Sequence, residues 1–418
     1  MEMKKYKLSE IATVEISGVD KKRKENETPV KLCNFTDVYH NWAITKDMED
    51  SFMDATASEK EIKTFSLKKG QVAFTKDSET RDDIGIPTYI ADDFDNVILG
   101  YHTALITPDK TRLSGKYLNA FMNSKFIKKY FENNASGSGQ RYTLSNDTLN
   151  SIPVILPEIS IQEKIGDIFS SIDRKIALNK KINAKLEAMA KRLYDYWFVQ
   201  FDYPDKNGKP YKTSGGKMVW NEVLKREIPE GWEVKNIFEA SDVLYGYPYA
   251  TEPFDEDNLD FSKKPYKIVR IRDIKSNTFS AKTTEVVDEK YKTMRNDLLV
   301  GMDGYFHMNF WFRNDDFINQ RIVRLRKTLI STLILYFQIS PFIKFKEEMA
   351  KGSTVGHLSD KDLKQLFVAI PNDNSISDRF DSILNMITKN NSEIQKLTDL
   401  RDHLLPLLMN GQVEVVEE

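Results

Sequence analysis

The sequence predicts an α+β fold in which two similar α/β domains are separated by two long antiparallel helices forming a coiled coil, an internal repeat with pseudo-twofold symmetry. Three observations predict it. The chain repeats itself at a long period, each half closes on a stretch of heptad character, and short strands alternate with polar turns inside each half. At 418 residues the chain has room for two or three domains, each able to bury its own core.

The repeat comes first because it fixes the architecture. Phe126-Ile127-Lys128 is echoed by Phe342-Ile343-Lys344, each followed by small residues, Ala135-Ser136-Gly137-Ser138-Gly139 or Ala350-Lys351-Gly352-Ser353. Leu144-Ser145 and Leu358-Ser359 then lead to strands closed by proline, Pro153–Pro157 and Phe367–Pro371, so matching positions stand about 214 to 216 residues apart. The opening Lys4–Leu8 corresponds loosely to Trp232–Lys235. Further strands are expected at Gln71–Phe74, Val97–Leu99, Tyr266–Val269 and Leu298–Val300.

A helix start follows each closing proline. Ser160-Ile161-Gln162-Glu163 fits a capping box, and Ser375-Ile376-Ser377-Asp378 is a weaker version. Downstream, Ile165, Ile168, Ile172, Ile182, Leu186, Met189 and Leu193 read as a coiled-coil seam around a polar gap at Lys175 and Asn179. Asn390 and Asn391 occupy a similar gap in the second helix, between Ile387 and Ile394. Buried, such residues would fix register; facing solvent, they would mark a local divergence. About 40 residues from Ser160 to Val199 give a first helix of about 60 Å. If the two seams pack, the second helix returns antiparallel and the similar domains sit at the ends of a rod. Between the halves, Phe201–Glu230 is rich in Gly, Pro, Asn and Lys and reads as turns and extended loop. The expected domains are 1–157, a first spacer helix 158–200, a linker 201–230, a second domain 231–371, a second spacer helix 372–411 and a tail 412–418.

Composition bounds the function. Forty per cent hydrophobic and 30% charged residues suit a soluble globular protein. With 61 basic against 63 acidic side chains, net charge announces no nucleic-acid partner. Cys33 is the one cysteine, which excludes a disulfide framework and suits a reducing cytoplasm. The first residues, Met1 to Tyr6, are charged with no apolar stretch behind them, so no signal peptide is expected. The most apolar run, Leu329–Phe345, is interrupted by Pro341, too short to span a bilayer, and reads as a buried helix.

Catalytic tools are missing. Gly137-Ser138-Gly139 lacks the third glycine and the Lys-Ser/Thr ending of nucleotide-binding loops. Neither an amino-methyltransferase tetrapeptide nor a Gly-x-Ser-x-Gly elbow occurs, and the five histidines stand singly. Pro157-Glu158 with Asp173-Arg174-Lys175 resembles a metal-dependent nuclease pattern, but its second part falls mid-helix. The expectation is no catalytic residue, no metal and no cofactor of the chain's own.

Several segments resemble one family: the specificity subunits of type I restriction–modification enzymes. They are Phe198–Asp202, Asn207–Lys212, Ser214–Val219 and Ile228–Trp232, with Gly301–Gly304, Asn319–Arg321, Gly100–Thr103, Leu404–Pro406 and Asn410-Gly411. The resemblance implies two target recognition domains, each reading half of a bipartite double-stranded DNA sequence, and helices that set the half-site spacing. It implies two adenine methyltransferase subunits that bind S-adenosylmethionine, and an ATP-dependent restriction subunit in the full complex. Different domains then imply an asymmetric target. Base readout would fall to polar and guanidinium side chains. The candidates are Lys76, Arg81, His102, Gln140, Arg141 and Tyr142 in the first domain, and Arg270, Arg272, Asn309, Arg313 and Arg321 in the second. A protein-binding scaffold, or a nuclease or methyltransferase in its own right, are the rival readings.

Overall fold

The computed structural model describes residues 3–137, 140–249, 265–350 and 356–413. It has two units, Met1–Ala177 with Lys396–Glu418, and Leu178–Gln395. Each unit is an α/β domain carrying a portion of both long helices.

In the first unit a five-stranded sheet runs Ala12–Ile16, Thr103–Pro108, Val72–Thr75, Pro87–Ile90, Ala43–Ile44. Its central strand Val72–Thr75 is buried at every position, as a strand covered on both faces must be. A second sheet places Thr28–Cys33 between antiparallel Met53–Ala57 and parallel Val97–Leu99. Lys4–Lys7 closes the domain by pairing antiparallel with Pro153–Leu156. Cys33 is fully buried, and burial, with Asp37 nearby, pushes its thiol well above the usual range, so it is packing rather than chemistry.

The second unit repeats the core of this plan, with one strand fewer in its main sheet. Ser241–Tyr245, Ile322–Lys327, Leu298–Gly301 and Met308–Phe310 form the main sheet. Tyr266–Val269 lies between antiparallel Ala281–Thr283 and parallel Phe317–Ile318. Glu233–Asn236 pairs with Phe367–Ile370, which equates Glu233 with Lys4 and Ile370 with Leu156. The expected strands at 71–74, 97–99, 266–269 and 298–300 are all present to within a residue. Both Leu-Ser pairs do more than precede a strand: Ser145 and Ser359 cap short helices, Asn146–Asn150 and Asp360–Leu363. Of the small-residue segments, Ser138, Gly139 and Lys351–Ser353 lie outside the described residues.

The long helices are Ile159–Tyr194 and Asn374–Met409. A π-helical turn, Asp195–Val199, extends the first and turns both Trp197 and Phe198 inward. Neither expected serine is the cap. Ile161 and Gln162 donate their amides to the Glu158 carbonyl, placing Ser160 inside the first turn. Asp373 accepts the Ser375 amide at 2.8 Å and so performs the capping assigned to Ser375. The seam also differs from expectation. The inward residues are Ile165, Phe169, Ile172, Ile176, Asn179, Asn183, Leu186 and Ala190, in unbroken steps of four and three. Ile182 and Met189 are exposed, as is Lys175, so there is no gap in the heptad. The polar residues occupy the seam itself, where Asn179 and Asn183 are buried.

Within the second unit this seam is antiparallel. Asn179 donates to Glu393 Oε2 at 3.0 Å, while Asn183, further along, donates to Asn391 Oδ1 at 2.7 Å and accepts from Asn390 Nδ2 at 2.8 Å. In the first unit Ile165 and Phe169 share a core with Leu405, Leu408 and Met409 of the second helix. The segment 201–230 is not only turns. It includes a hairpin, Met218–Asn221 with Arg226–Pro229, and inserts Phe201 and Tyr203 beside Trp232. The apolar run forms helix Thr332–Ala350, which continues through Pro341 and buries Leu333, Ile334, Leu335, Ile339 and Ile343.

Candidate nucleic-acid interface

In the first domain, chain geometry gathers five of the six candidates. Strand Val72–Thr75 runs out into Lys76-Asp77, and Asp77 pairs in register with Thr143. The Lys76 amide donates to the His102 carbonyl at 3.0 Å, which brings the entry of the neighbouring strand alongside. His102 adopts a left-handed backbone, φ 66°, a conformation few side chains accept without compensation.

Asp77 is the centre. Its carboxylate lies 2.6 Å from His102 Nδ1 and 3.0 Å from Lys76 Nζ. Burial pushes its carboxyl upward, but hydrogen bonds from Thr143, Lys76 and His102 outweigh this and hold it below the usual range. It therefore stays anionic and fixes the groups around it. Arg141 Nη2 lies against the same imidazole, 3.0 Å from His102 Nε2 and 3.2 Å from Nδ1. Arg81 lies over the Tyr142 ring, 5.0 Å from its centroid. A cleft of about 360 Å³ is lined by Asp77, Ser136, Gly137, Arg141 and Thr143. Gln140 is exposed next to Arg141 in the chain and makes no part of this cluster's bonding.

The second domain builds its counterpart on Asp303. The Met302 amide donates to the Arg321 carbonyl at 3.0 Å, as Lys76 does to His102. The Leu358 amide reaches the Met302 carbonyl at 2.7 Å, as Leu144 reaches Lys76 at 3.0 Å. Asp303 Oδ2 receives Arg321 Nε at 3.1 Å, and Oδ1 receives His357 Nδ1 at 2.5 Å. Asp303 thus stands where Asp77 does, Arg321 where His102 does, and His357 where Thr143 does.

The other four candidates lie elsewhere in that domain. Arg270 bonds Ser280 through Nε at 2.8 Å, and burial together with the like charge of Arg272 lowers its proton affinity. Arg272 is exposed. Asn309 donates to the carbonyls of Ile274 and Lys275 at 3.0 and 3.1 Å, tying a short helix to the sheet. Arg313 packs on Trp311 and Phe312 and bonds Asp316 at 2.9 Å.

Sequence reading missed Asp77, Thr143, Asp303 and His357. The signal was present: the 214-residue offset that matches Leu144 with Leu358 also matches Thr143 with His357. Among the described residues, no group of three or more His, Cys, Asp or Glu is placed to hold a metal ion, and no helix is long and apolar enough to cross a membrane.

The family described as "Type I restriction modification DNA specificity domain" matches residues 1–188 and 229–399, one stretch in each half. The chain belongs to this family. Among its curated relatives, the type I restriction enzyme HindI specificity subunit of Haemophilus influenzae is 23% identical over 409 residues, spanning 83% of this chain and 87% of that one. The MjaIX specificity subunit of Methanocaldococcus jannaschii is 25% identical over 325 residues, 74% of this chain and 71% of that one. The type I restriction-modification S subunit of M. genitalium has the same fold, with a TM-score of 0.59 at 16% identity, across 97% of this chain and 96% of that chain. The two matched stretches fall one in each half, and the two halves carry the same core strand pairings, so the match is itself duplicated along the chain.

Proposed function

We propose that this type I specificity subunit recognises an asymmetric bipartite sequence in double-stranded DNA, one half-site to each domain, and directs adenine methylation and restriction carried out by other subunits. The observation that carries the proposal is the pair of equivalent sites, Asp77 and Asp303, each fixing basic side chains at the same place in a repeated fold. Two domains of one topology with different side chains around the shared carboxylate suit two different half-sites. The long helices would set the number of unread base pairs between them, at about 3.4 Å each.

In this reading the chain performs no chemistry and holds no cofactor. S-adenosylmethionine binds to two methyltransferase subunits, and an ATP-dependent restriction subunit completes the assembly. The near-neutral balance of 61 basic and 63 acidic side chains fits a division in which those partners supply much of the phosphate binding. The test is to co-express the chain with its methyltransferase subunit in a host lacking adenine methylation and to map N6-methyladenine across the genome. The expected result is one bipartite, non-palindromic motif; a palindromic motif or no methylation refutes it.

A further inference from the structure

Domains that read different half-sites must differ where they touch bases and can stay alike where they touch the sugar-phosphate backbone, which is the same at every sequence. That rule separates the side chains around Asp77 and Asp303. Shared by both domains are the carboxylate, the nitrogen donor at the strand entry (His102 or Arg321), and the main-chain hydrogen bonds that place them. Unshared are Lys76, whose counterpart is Met302, and Arg141, for which the 214-residue offset puts Val355.

We infer a division of labour, resting on the DNA-reading role proposed above: Arg321 grips a backbone phosphate, and the unshared Arg141, positioned by His102, reads a base edge in the first half-site. The geometry supports each assignment. Arg321 commits its Nε to Asp303 and is 54% exposed, so its guanidinium is oriented by one bond and open at the rim. An arginine oriented by one carboxylate can direct its remaining donors at a phosphate oxygen. His102, held by Asp77 in the corresponding place, has Arg141 against its ring nitrogens, so it positions that arginine instead of donating to a phosphate. Arg141 is exposed, borders the cleft beside Asp77, and contacts His102 through Nη2, which tethers one end of its fork there. A planar guanidinium fork is what bidentate recognition of guanine O6 and N7 requires.

The experiment uses the complex with its methyltransferase subunits. Binding to the cognate duplex and to a scrambled duplex is measured over a salt series, and the methylated motif is mapped for each variant. Arg321→Gln is expected to weaken both duplexes by the same factor, to make the plot of log affinity against log salt shallower by about 0.9, and to leave the motif intact. Arg321→Lys should restore most of the affinity, because a phosphate accepts a point charge where a guanine edge does not. Arg141→Gln and Arg141→Lys are both expected to relax the motif at one base pair of the first half-site, with binding to the scrambled duplex nearly unchanged. The inference is overturned if Arg321→Gln relaxes the motif, if Arg321→Lys fails to rescue while circular dichroism shows a folded complex, or if Arg141→Gln weakens both duplexes equally. A wild-type complex that does not distinguish cognate from scrambled DNA would sink the reading beneath it as well.

Discussion

Asn183 is a buried polar residue of the seam. It is 6% exposed and makes three hydrogen bonds across the helix pair: to Asn391 Oδ1 at 2.7 Å, to the Ile387 carbonyl at 3.3 Å, and from Asn390 Nδ2 at 2.8 Å. Asn183→Ala deletes all three, each worth about 1 kcal/mol net. Asn390 and Asn391 are only half-buried, so water can recover part of their bonding, and the expected loss is about 2 kcal/mol. Asn183→Leu should recover about 1 kcal/mol of that through apolar burial while removing the polar contact that specifies register. The control is Ile182→Ala, one residue away, exposed and outside the seam, which should change stability by less than about 0.5 kcal/mol. Urea unfolding followed by tryptophan fluorescence suits the question, because four of the five tryptophans, Trp197, Trp220, Trp232 and Trp311, lie in Leu178–Gln395 with Asn183. If Ile182→Ala costs as much as Asn183→Ala, the heptad phase described above is wrong.

Two further outcomes test the packing and the electrostatics. A Cβ on Gly166 would lie 2.6 Å from Lys116 Cβ and 3.0 Å from the Tyr117 amide nitrogen, so Gly166→Ala should destabilise the first unit by about 1 kcal/mol, overpacking of about 2 outweighing a helix-propensity gain of about 1; increased stability on thermal unfolding would refute the close approach. Asp362 is buried enough to raise its carboxyl, but Lys346, the Ser359 hydroxyl and the Ser359 amide prevail and bring it down to about 2. Because the folded value lies below the ordinary 3.8, its contribution, on the order of 2 kcal/mol, is present above about pH 4 and lost as pH falls toward 2. Asp362→Asn should therefore cost stability at pH 7 and flatten the acid limb of the second unit's unfolding profile; an unchanged limb would show that this carboxylate is not what titrates there.

How much of this was legible in the sequence depends on which force decides each feature. Strands such as Val97–Leu99 and Leu298–Gly301 could be read because a buried strand is written as a run of branched apolar residues. The seam could be detected but not phased. Choosing Ile182 and Met189 maximised apolar positions, whereas the folded helix keeps strict heptad steps and places Asn179 and Asn183 inward, where asparagines and Glu393 from the facing helix satisfy them. No single-helix pattern contains that partner. The caps failed for a related reason: both serines matched a local signature, but the helices begin at Ile159 and Asn374, with Glu158 and Asp373 at the caps two residues ahead of those serines. At the candidate site the cations drew notice and the carboxylates did not. Asp77 and Asp303 look like solvated acids until strand pairing brings His102, Thr143, Arg321 and His357 to them.

That asymmetry of detection has a physical source with consequences for how the two halves diverge. Main-chain bonds fix the site: Leu144 to Lys76 and Leu358 to Met302 on one side, Lys76 to His102 and Met302 to Arg321 on the other. Those bonds are indifferent to side-chain identity, so His102 can stand where Arg321 does and Thr143 where His357 does while the carboxylate keeps its place. A substitution at such a position changes which donors face outward without disturbing the sheet that carries them, since the strands behind it, Val72–Thr75 and Leu298–Gly301, are buried at every residue. The fold therefore separates the residues that hold it together from those that face outward at the Asp77 and Asp303 sites, and each domain of the pair can change its outward-facing set independently of the other.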